Sequence, residues 1–421
     1  MKREAGFSLI ELLVAMAVTL IIVAATLGLF ESALHTNESS QQLSNMNGNL
    51  RSAMNLMTRD LLQAGQGIPT GGVLIPSGAG CNPVNRPVPV GTSTFPYGCG
   101  FAADPNLPAL IPGNALGPAV PDIPSKTAVA GNLQSPILNW VPSPGPQSDM
   151  VTMMYQDNTL ITDSFVNSAI FTPNYLIALT ANSMTFSNAL IFTVNNSPSI
   201  GDIFVVTGST AAGPTSRYVV ITDVTSGSQT VNFNSADAND AFNLNQQTTA
   251  ASGTIQDLSA DFGLACPQPP YPVPPAVLPA GCVAYAQRVL MVSYWLDITQ
   301  IVNGQVIPRL MRQVGLASAA SCAANPPPLN GCPRPVAEVI EGLELSYDYV
   351  NGTVPVNNQV SSVGANAACG GCGITDNQIR KVNLYLAGRS DAALSQTGQY
   401  LRNNMATQID IRSLAFVSRY H

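Results

Sequence analysis

Residues 1–30 of the chain read MKREAGFSLIELLVAMAVTLIIVAATLGLF, and no other part of the sequence has so strong a structural signal. Residues 12–30 carry no charge. At about 1.5 Å per residue, an α-helix of this stretch is roughly 28 Å long, close to the thickness of the hydrocarbon core of a bilayer. The stretch therefore predicts a transmembrane helix, which we place at residues 7–30.

Basic residues lie on one side of the apolar run. Lys2 and Arg3 precede it, and the next basic residue is Arg51. Because positive charge stays on the cytoplasmic side, the chain is predicted to start in the cytoplasm and everything after residue 30 to be exported. A cleavable secretory signal is the alternative. Its apolar core would run only about 7–15 residues, and here Glu11 lies near the start of a longer run.

Residues 6–11, GFSLIE, together with the apolar run that follows, resemble the class III signal of type IV prepilins. The resemblance implies that prepilin peptidase, a membrane aspartyl protease, cuts between Gly6 and Phe7 and methylates the new amine of Phe7. Residues 1–6 would then be a leader. The resemblance also implies that Glu11 meets the terminal amine of a neighbouring subunit in a filament.

The residue types suit that processing. Gly6 has no Cβ, so the backbone fits a narrow protease cleft. A carboxylate such as Glu11 costs several kcal/mol in apolar surroundings unless it is paired or lies at the interface. Cleavage creates a cation four residues before Glu11, on the same face of a helix. In the alternative, Glu11 only snorkels to the lipid headgroups.

An apolar stripe continues beyond the membrane span at steps of three and four residues, in Leu43, Met46, Leu50, Met54, Met57 and Leu61. The stripe predicts an amphipathic continuation of the helix over residues 31–65, packed against a globular head. Arg51, Arg59 and Asp60 are expected off the stripe, and the glycines and proline at 65–69 end the helix. Residues 36–49 are rich in Asn, Ser and Gly, poor helix formers, so the sequence leaves the continuity of the helix open there.

The rest of the sequence falls into two parts. Residues 66–148 are rich in Pro and Gly and nearly uncharged, which predicts long loops or an insertion with sparse regular structure. Residues 149–421 alternate β-branched and aromatic stretches with turn residues, which predicts a β-rich head. The expected strands cover residues 150–156, 169–172, 189–194, 201–207, 217–224, 230–234, 287–298, 307–314, 340–350, 380–388 and 409–420. The predicted fold class is α+β, a long pilin-like helix packed on an antiparallel sheet.

The order of blocks in the head extends the resemblance. SDMVTMMY at 148–155, VLMVSYWLD at 289–297, VAEVIEGLELSYDY at 336–349 and QIDIRSLAFVSRY at 408–420 are similar to successive blocks of PilW-type minor pilins. The resemblance implies a structural protein without enzymatic activity or cofactor, incorporated at the tip or priming complex of a type IV pilus. Its partners would be other minor and major pilins and a pilus tip adhesin, and its processes motility and cell adhesion.

Eight cysteines follow the export signal, so disulfides are expected in the oxidising space outside the inner membrane. Adjacent pairing is the simplest arrangement, because the first three pairs each close a short loop rich in Pro or Ala. The candidate pairs are Cys81 with Cys99, Cys266 with Cys282, Cys322 with Cys332, and Cys369 with Cys372. Other connectivities stay open. The CGGC run could also be a thioredoxin-like redox pair or half a zinc site, but no second CxxC exists, and a structural turn disulfide is favoured.

Composition argues against several functions. A net charge of −7 at pH 7 does not suit a nucleic-acid binder. The two histidines, His35 and His421, leave little imidazole for a metal site or for nucleophile activation, so no catalytic or metal residue is predicted. The oxygen-rich run Asp237, Asn239 and Asp240 lacks the twelve-residue loop and distal glutamate of a calcium site, and a solvated turn is predicted.

Three functions stay open at this stage. A minor pilin would be anchored in the inner membrane by one span, with its head in the periplasm, and would then enter an extracellular pilus. A pseudopilin of a type II secretion system would have the same N-terminus, and the large head favours the pilus. A membrane-anchored adhesin or an exported enzyme with a pilin-like signal is the third.

Overall fold

A computed structural model describes residues 8–69, 71–78, 80–82, 84, 106–113, 117–118, 120, 148–157, 175–186, 197–210, 213–225, 229–240, 242–247, 251–259, 284–302, 304–315, 322, 331–350, 355–356 and 379–411. The cleavage site between Gly6 and Phe7 lies outside the described residues, as do the strands expected at 169–172 and 189–194.

One long helix, α1, covers Leu9–Gln63, 55 residues in all. At about 1.5 Å per residue it is roughly 82 Å long. Residues 8–34 are exposed throughout, and the first buried side chain is Met46. The helix therefore has a bare N-terminal half and a C-terminal half that packs into the head.

The helix is continuous through residues 36–49, where the sequence left its continuity open. Hydroxyl groups there bond back to helix carbonyls, from Thr36 Oγ1 to Ser32 O at 2.9 Å and from Ser39 Oγ to Thr36 O at 3.0 Å. Asn47 and Asn49 bond to the head. Helix propensities differ by under about 1 kcal/mol per residue, and packing of the flanking stripe outweighs them.

The helix ends where the glycines predicted. Gly65 and Gly67 have φ of 79° and 72°, in the left-handed region where only glycine is unstrained. A Cβ on Gly67 would lie 2.3 Å from Gln287 Nε2. The chain thus turns sharply against the sheet, where Gly65 N donates to Met154 O at 2.8 Å.

The described residues contain 21 strands. They are β1 (Val73–Leu74), β2 (Ser77–Gly78), β3 (Asn106–Leu107), β4 (Leu110–Gly113), β5 (Met150–Gln156), β6 (Tyr175–Leu179), β7 (Ser183–Phe186), β8 (Ile203–Thr210), β9 (Gly213–Val220), β10 (Asp223–Val224), β11 (Thr230–Asn232), β12 (Ala251–Ser252), β13 (Ala284–Asp297), β14 (Ile301–Val302), β15 (Gln305–Val306), β16 (Arg309–Val314), β17 (Arg334–Glu338), β18 (Ile340–Val350), β19 (Pro355–Val356), β20 (Ile379–Arg389) and β21 (Arg402–Asp410).

Strand β13 organises the largest sheet, because its 14 residues pair with four other strands. Its first half pairs with β6 on one edge and β8 on the other, and its second half pairs with β5 and β16. All four pairings are antiparallel, as predicted. One parallel contact, Leu74 with Arg217 between β1 and β9, makes the sheet mixed.

A separate antiparallel sheet has the order β19-β18-β20-β21. Its apolar face joins the α1 stripe in the main core, where Leu50 packs against Gly388. A second core lies within the large sheet, around the edge-to-face pair Phe186 and Phe204, whose ring centroids are 5.9 Å apart. The observed architecture is the predicted α+β arrangement of a long helix packed on antiparallel sheets.

The Pro/Gly-rich stretch contributes more structure than the sequence indicated. Strands β1 to β4 fall within residues 66–148, and the described part of that stretch supplies Val73, Ile75, Leu107 and Leu110 to the main core. The strands are two to four residues long, too short for a periodic signal in the sequence.

Strand β21 (Arg402–Asp410) was not predicted and overlaps the strand expected at 409–420 only at its last two residues. Residues 412–420 of that expected strand lie outside the described residues. The polar run RNNMATQ shows no apolar alternation because β21, at the edge of its sheet, is exposed along most of its length.

Candidate assembly site

The bare half of α1 is the most unusual surface of the molecule. It is the one helix of the described residues that is long and apolar enough to cross a membrane, and none of its most apolar 18-residue window is buried in the head. Exposed apolar area costs roughly 25 cal/mol per Å² in water. This half of the helix therefore requires lipid or other apolar helices around it.

Glu11 caps the helix in the single chain. Its Oε2 accepts a hydrogen bond from the Ser8 N–H at 3.0 Å, and the Glu11 N–H donates to Ser8 Oγ at 3.3 Å. Ser8 is extended, with φ −75° and ψ 147°, and is the N-cap. The pair forms a capping box, which satisfies two of the donors that every helix start leaves unpaired.

The capping role of Ser8 was not predicted, although the S-x-x-E spacing that signals it is present at residues 8–11. The box leaves Glu11 with one accepted hydrogen bond at Oε2 among the described contacts. A carboxylate accepts up to about four. Glu11 thus retains acceptor capacity at the membrane end of the chain.

A buried polar cluster joins the other half of α1 to the sheet. Asp60 is only 1% exposed, so its placement off the apolar stripe is wrong. Asp60 Oδ2 accepts from Tyr294 OH at 2.6 Å and from Arg312 Nε at 2.7 Å. The seven-residue spacing of Met46, Ala53 and Asp60 places the aspartate on the buried face, where Arg312 balances its charge.

Electrostatics around Asp60 follow from burial. Burial and the negative charge of Asp60 raise the pKa of Tyr155 to about 12, while Arg312 opposes the shift. The pKa of Tyr294 is raised further for the same reasons. Burial works against the charge of Arg312, but the Asp60 hydrogen bond and attraction raise its pKa above the ordinary value. Arg312 thus stays charged and forms an ion pair with Asp60 beneath the helix.

A loop of the head also reaches α1 close to the membrane span. Ser395 Oγ lies 2.9 Å from His35 Nδ1 and donates to Glu38 Oε2 at 2.8 Å. Higher on the helix, Asn403 Nδ2 donates to Asn47 Oδ1 at 2.7 Å. No sequence signal connects His35 to Ser395.

Of the predicted cysteine pairs, the structure describes one completely. Cys322 and Cys332 are joined, with their Cα atoms 5.4 Å apart. Cys81 is also in a disulfide. No described cysteine is a free thiol. The other five candidates, Cys99, Cys266, Cys282, Cys369 and Cys372, lie outside the described residues.

In the oxygen-rich run at 237–240, the aspartate side chains accept hydrogen bonds from nearby backbone N–H groups. Asp237 Oδ1 accepts from the Asn239 N–H at 2.9 Å. Asp240 accepts from the backbone of Leu244 and Asn245 with one oxygen each. Burial raises the pKa of Asp240. These contacts stabilise a turn, and the described residues contain no cluster of three His, Cys, Asp or Glu arranged for a metal ion.

Residues 1–27 match the family model described as the prokaryotic N-terminal methylation motif. No curated protein and no solved structure matches the chain. The motif covers the membrane end of α1, where the bare apolar surface and the Ser8–Glu11 capping box lie. Motif and architecture together support a type IV pilin-like or pseudopilin-like protein, membrane-anchored by a single N-terminal span and processed by prepilin peptidase for assembly with other pilins.

Proposed function

We propose that this chain is a structural minor pilin of the PilW type, without enzymatic activity, that supports assembly of a type IV pilus from its tip or priming complex. The observation that carries the proposal is the methylation motif at the start of a 55-residue helix whose first half is bare. A head of this size on such a helix suits a subunit that is placed once at a filament end. Its partners are the prepilin peptidase, minor and major pilins, and a tip adhesin.

In this proposal residues 1–6 are a leader removed between Gly6 and Phe7, residues 7–30 are the span, and residues 31–65 the amphipathic continuation. Residues 66–148 form a loop-rich region and 149–421 the head. The N-terminus is cytoplasmic and the head periplasmic until the subunit enters the pilus. Glu11 receives the methylated amine of a neighbouring Phe7, and the eight cysteines form four local disulfides.

Processing is tested on the native membrane protein. Intact mass should show the loss of residues 1–6 and the gain of one methyl group. Gly6→Val, which adds a branched side chain in the protease cleft, should leave the leader in place. A chain that still begins at Met1 in cells with active prepilin peptidase would contradict the proposal.

A type II secretion pseudopilin is the second candidate, because the N-terminal motif is the same. Sheared pili separate the two. The processed chain should be found in sheared pili and be lost from them in cells without the pilus assembly ATPase. Presence in a secretion complex, with secretion failing when the chain is deleted, would favour the pseudopilin. Full display on cells that have no filament of either type would favour the anchored adhesin.

A further inference from the structure

The hairpin formed by β14 and β15 presents two neighbouring apolar side chains to solvent. Ile301 is 64% exposed and Val302 is 44% exposed. Among the described residues of the head, the other large apolar side chains that are exposed are Ile200 and Tyr285, which are not neighbours in the sequence. Single exposed apolar side chains are ordinary on a protein surface, whereas apolar side chains grouped at one place indicate a contact.

The hairpin also carries no charge. Residues 298–308, ITQIVNGQVIP, contain no Asp, Glu, Lys or Arg, and neither do residues 392–401 in the connection between β20 and β21. The two segments touch, because Tyr400 OH donates to Gln305 Oε1 at 3.0 Å and Arg389 donates to Val306 O. Uncharged segments can enter the surface of a membrane without the cost of desolvating a charge.

The hairpin projects from the end of β13 that is nearer to the membrane span. Gly65, at the end of α1, donates to the β5 residue that pairs with Met291. Asn49, earlier on α1, donates to Glu338 O at 3.4 Å, and Glu338 is aligned with Asp297 across β16. The helix rises about 24 Å between residues 49 and 65, and β13 covers about 20 Å between residues 291 and 297. Rising numbers along β13 therefore correspond to falling numbers along α1, toward the span.

The loop that touches the hairpin reaches α1 just above the membrane. Ser395 Oγ donates to Glu38 and lies 2.9 Å from His35 Nδ1. His35 follows the last residue of the uncharged run by five positions, a rise of about 7–8 Å along a helix. The headgroup layer on each side of the hydrocarbon is about 5–8 Å thick. Membrane helices tilt by about 20° on average, which lowers one side of the head toward that layer.

We propose that Ile301 and Val302 insert into the headgroup layer of the membrane that α1 crosses, so that the hairpin is a second membrane contact of the head. Burial of apolar surface drives this contact, because the segment has no charge to attract anionic lipid. A second contact restricts the tilt of α1 and the rotation of the head about it. The inference rests on the N-terminal span and does not depend on entry of the chain into a pilus.

The test is tryptophan fluorescence of the full chain in phosphatidylcholine nanodiscs, with and without a nitroxide on the lipid headgroup. A nitroxide quenches an indole only at short range. Ile301→Trp should lose most of its added emission in the nitroxide lipid, and wild type, with two tryptophans, supplies the background. Ile200→Trp is the matched control. Ile200 is 53% exposed and lies near Ile203, which pairs with Val289 in the part of β13 far from the span, so its emission should not change.

A second variant separates insertion from mere proximity. Adding Val302→Asp to Ile301→Trp should restore the emission, because a carboxylate resists transfer into the membrane. Quenching of Ile301→Trp should be equal in low and high salt. Both side chains lie outside the apolar cores of the described residues, so the variants should unfold at the wild-type temperature.

Three results would contradict the membrane contact. Ile301→Trp could emit equally in the two lipids, Ile200→Trp could be quenched as strongly, or the quenching could disappear in high salt, which would exclude apolar burial as its cause. Unquenched Ile301→Trp, together with loss of Ile301→Asp from sheared pili, would assign the hairpin tip to a neighbouring subunit instead. The nanodiscs contain no other pilin, so their result is independent of the proposed function.

Discussion

Glu11 has one partner in the single chain and another in the proposed filament. In the chain it accepts from the Ser8 N–H and caps α1. In the filament it would meet the methylated Phe7 amine of a neighbour. Both partners are N–H donors at a helix start, so the capping geometry keeps the carboxylate at the end of the helix where an incoming amine would arrive.

We expect Glu11→Ala to reduce incorporation into sheared pili sharply. The change would leave the neighbour's ammonium group unpaired in lipid, a loss of about 3–5 kcal/mol. Membrane insertion should persist, because removing a charge from the span favours insertion. Immunoblots of sheared filaments and membrane fractions measure both quantities.

Ser8→Ala is the matched control for this variant. It removes the hydroxyl that accepts from the Glu11 N–H, at a cost of about 1 kcal/mol to the helix start, but keeps the carboxylate. Ser8→Ala should therefore enter filaments. If Glu11→Ala is also found in filaments at wild-type amounts, the carboxylate only snorkels and has no part in assembly.

Glu341 lies buried in the head, where its Oε1 accepts from Arg402 Nε at 2.8 Å. Burial raises the pKa of Glu341, and the positive charges of Arg402 and Arg389 oppose the shift. The native state therefore holds the Glu341 proton more tightly than the unfolded chain, in which a glutamate has a pKa of about 4.3. Protonated Glu341 therefore contributes its full share of the folding stability at pH values below the unfolded pKa. That contribution is lost as the pH rises through the raised pKa of the native state.

We expect Glu341→Gln to gain stability relative to wild type as the pH rises from 4.5 to 7. The amide keeps an acceptor for Arg402 without the cost of a buried charge. Melting temperatures of the two proteins at both pH values give the difference. Asp391→Asn, at an exposed position, controls for the loss of one surface charge. A difference that shrinks with rising pH would contradict the assignment.

At the scale of elements, the two halves of α1 have different roles. Its first half offers apolar surface to lipid or to other helices, and its second half is part of the head core. The two halves differ in what surrounds them and not in backbone geometry, because the helix is continuous between them. The head is thus joined to the span by continuous helical backbone.

Asp60 is the polar contact that fixes α1 in register on β13 and β16. We expect Asp60→Ala to destabilise the head by about 3 kcal/mol, because Arg312 and the Tyr294 hydroxyl lose their buried acceptor. Tyr294→Phe, which keeps the Asp60–Arg312 pair, should cost about 1–2 kcal/mol. Denaturant unfolding of both variants gives the comparison, and equal costs would contradict a central role for the charge.

At the scale of the whole molecule, the one disulfide that the structure describes completely closes a loop of the head. Cys322 and Cys332 are ten positions apart in the sequence, and Cys332 lies beside the end of β16, where Gly331 N donates to Val314 O. Neither cysteine belongs to the two large apolar clusters of the described residues, although Cys332 is buried at 5% exposure.

Non-reducing peptide mapping should recover four local pairs, including Cys322 with Cys332 and Cys369 with Cys372. Replacing Cys322 and Cys332 together by serine should cost about 2–3 kcal/mol, because a loop of this length gains freedom mainly in the unfolded chain. Free thiols at Cys369 and Cys372, with all other cysteines paired, would favour a redox or metal role for the CGGC run.

The N-terminus and most head strands could be predicted from the sequence because their signals are local. Residues 6–30 hold the motif and the span in one stretch, and β5 and β18 coincide with the predicted strands. A strand buried on both faces has a continuous apolar run, which a sequence shows directly. The packing of the long helix on a β-rich head was predicted from its apolar stripe, which recurs at steps of three and four residues.

Tertiary structure decided what depends on residues distant along the chain. Three features depend on such contacts. Asp60 is buried opposite Arg312, and Ser395 contacts His35, in each case across more than 200 residues of sequence. The continuity of α1 at 36–49 rests on packing of the same kind. Local propensities are worth under about 1 kcal/mol per residue, whereas a buried charge without its partner costs several. The sequence therefore determined the elements, and the stronger long-range terms determined which of their polar residues meet.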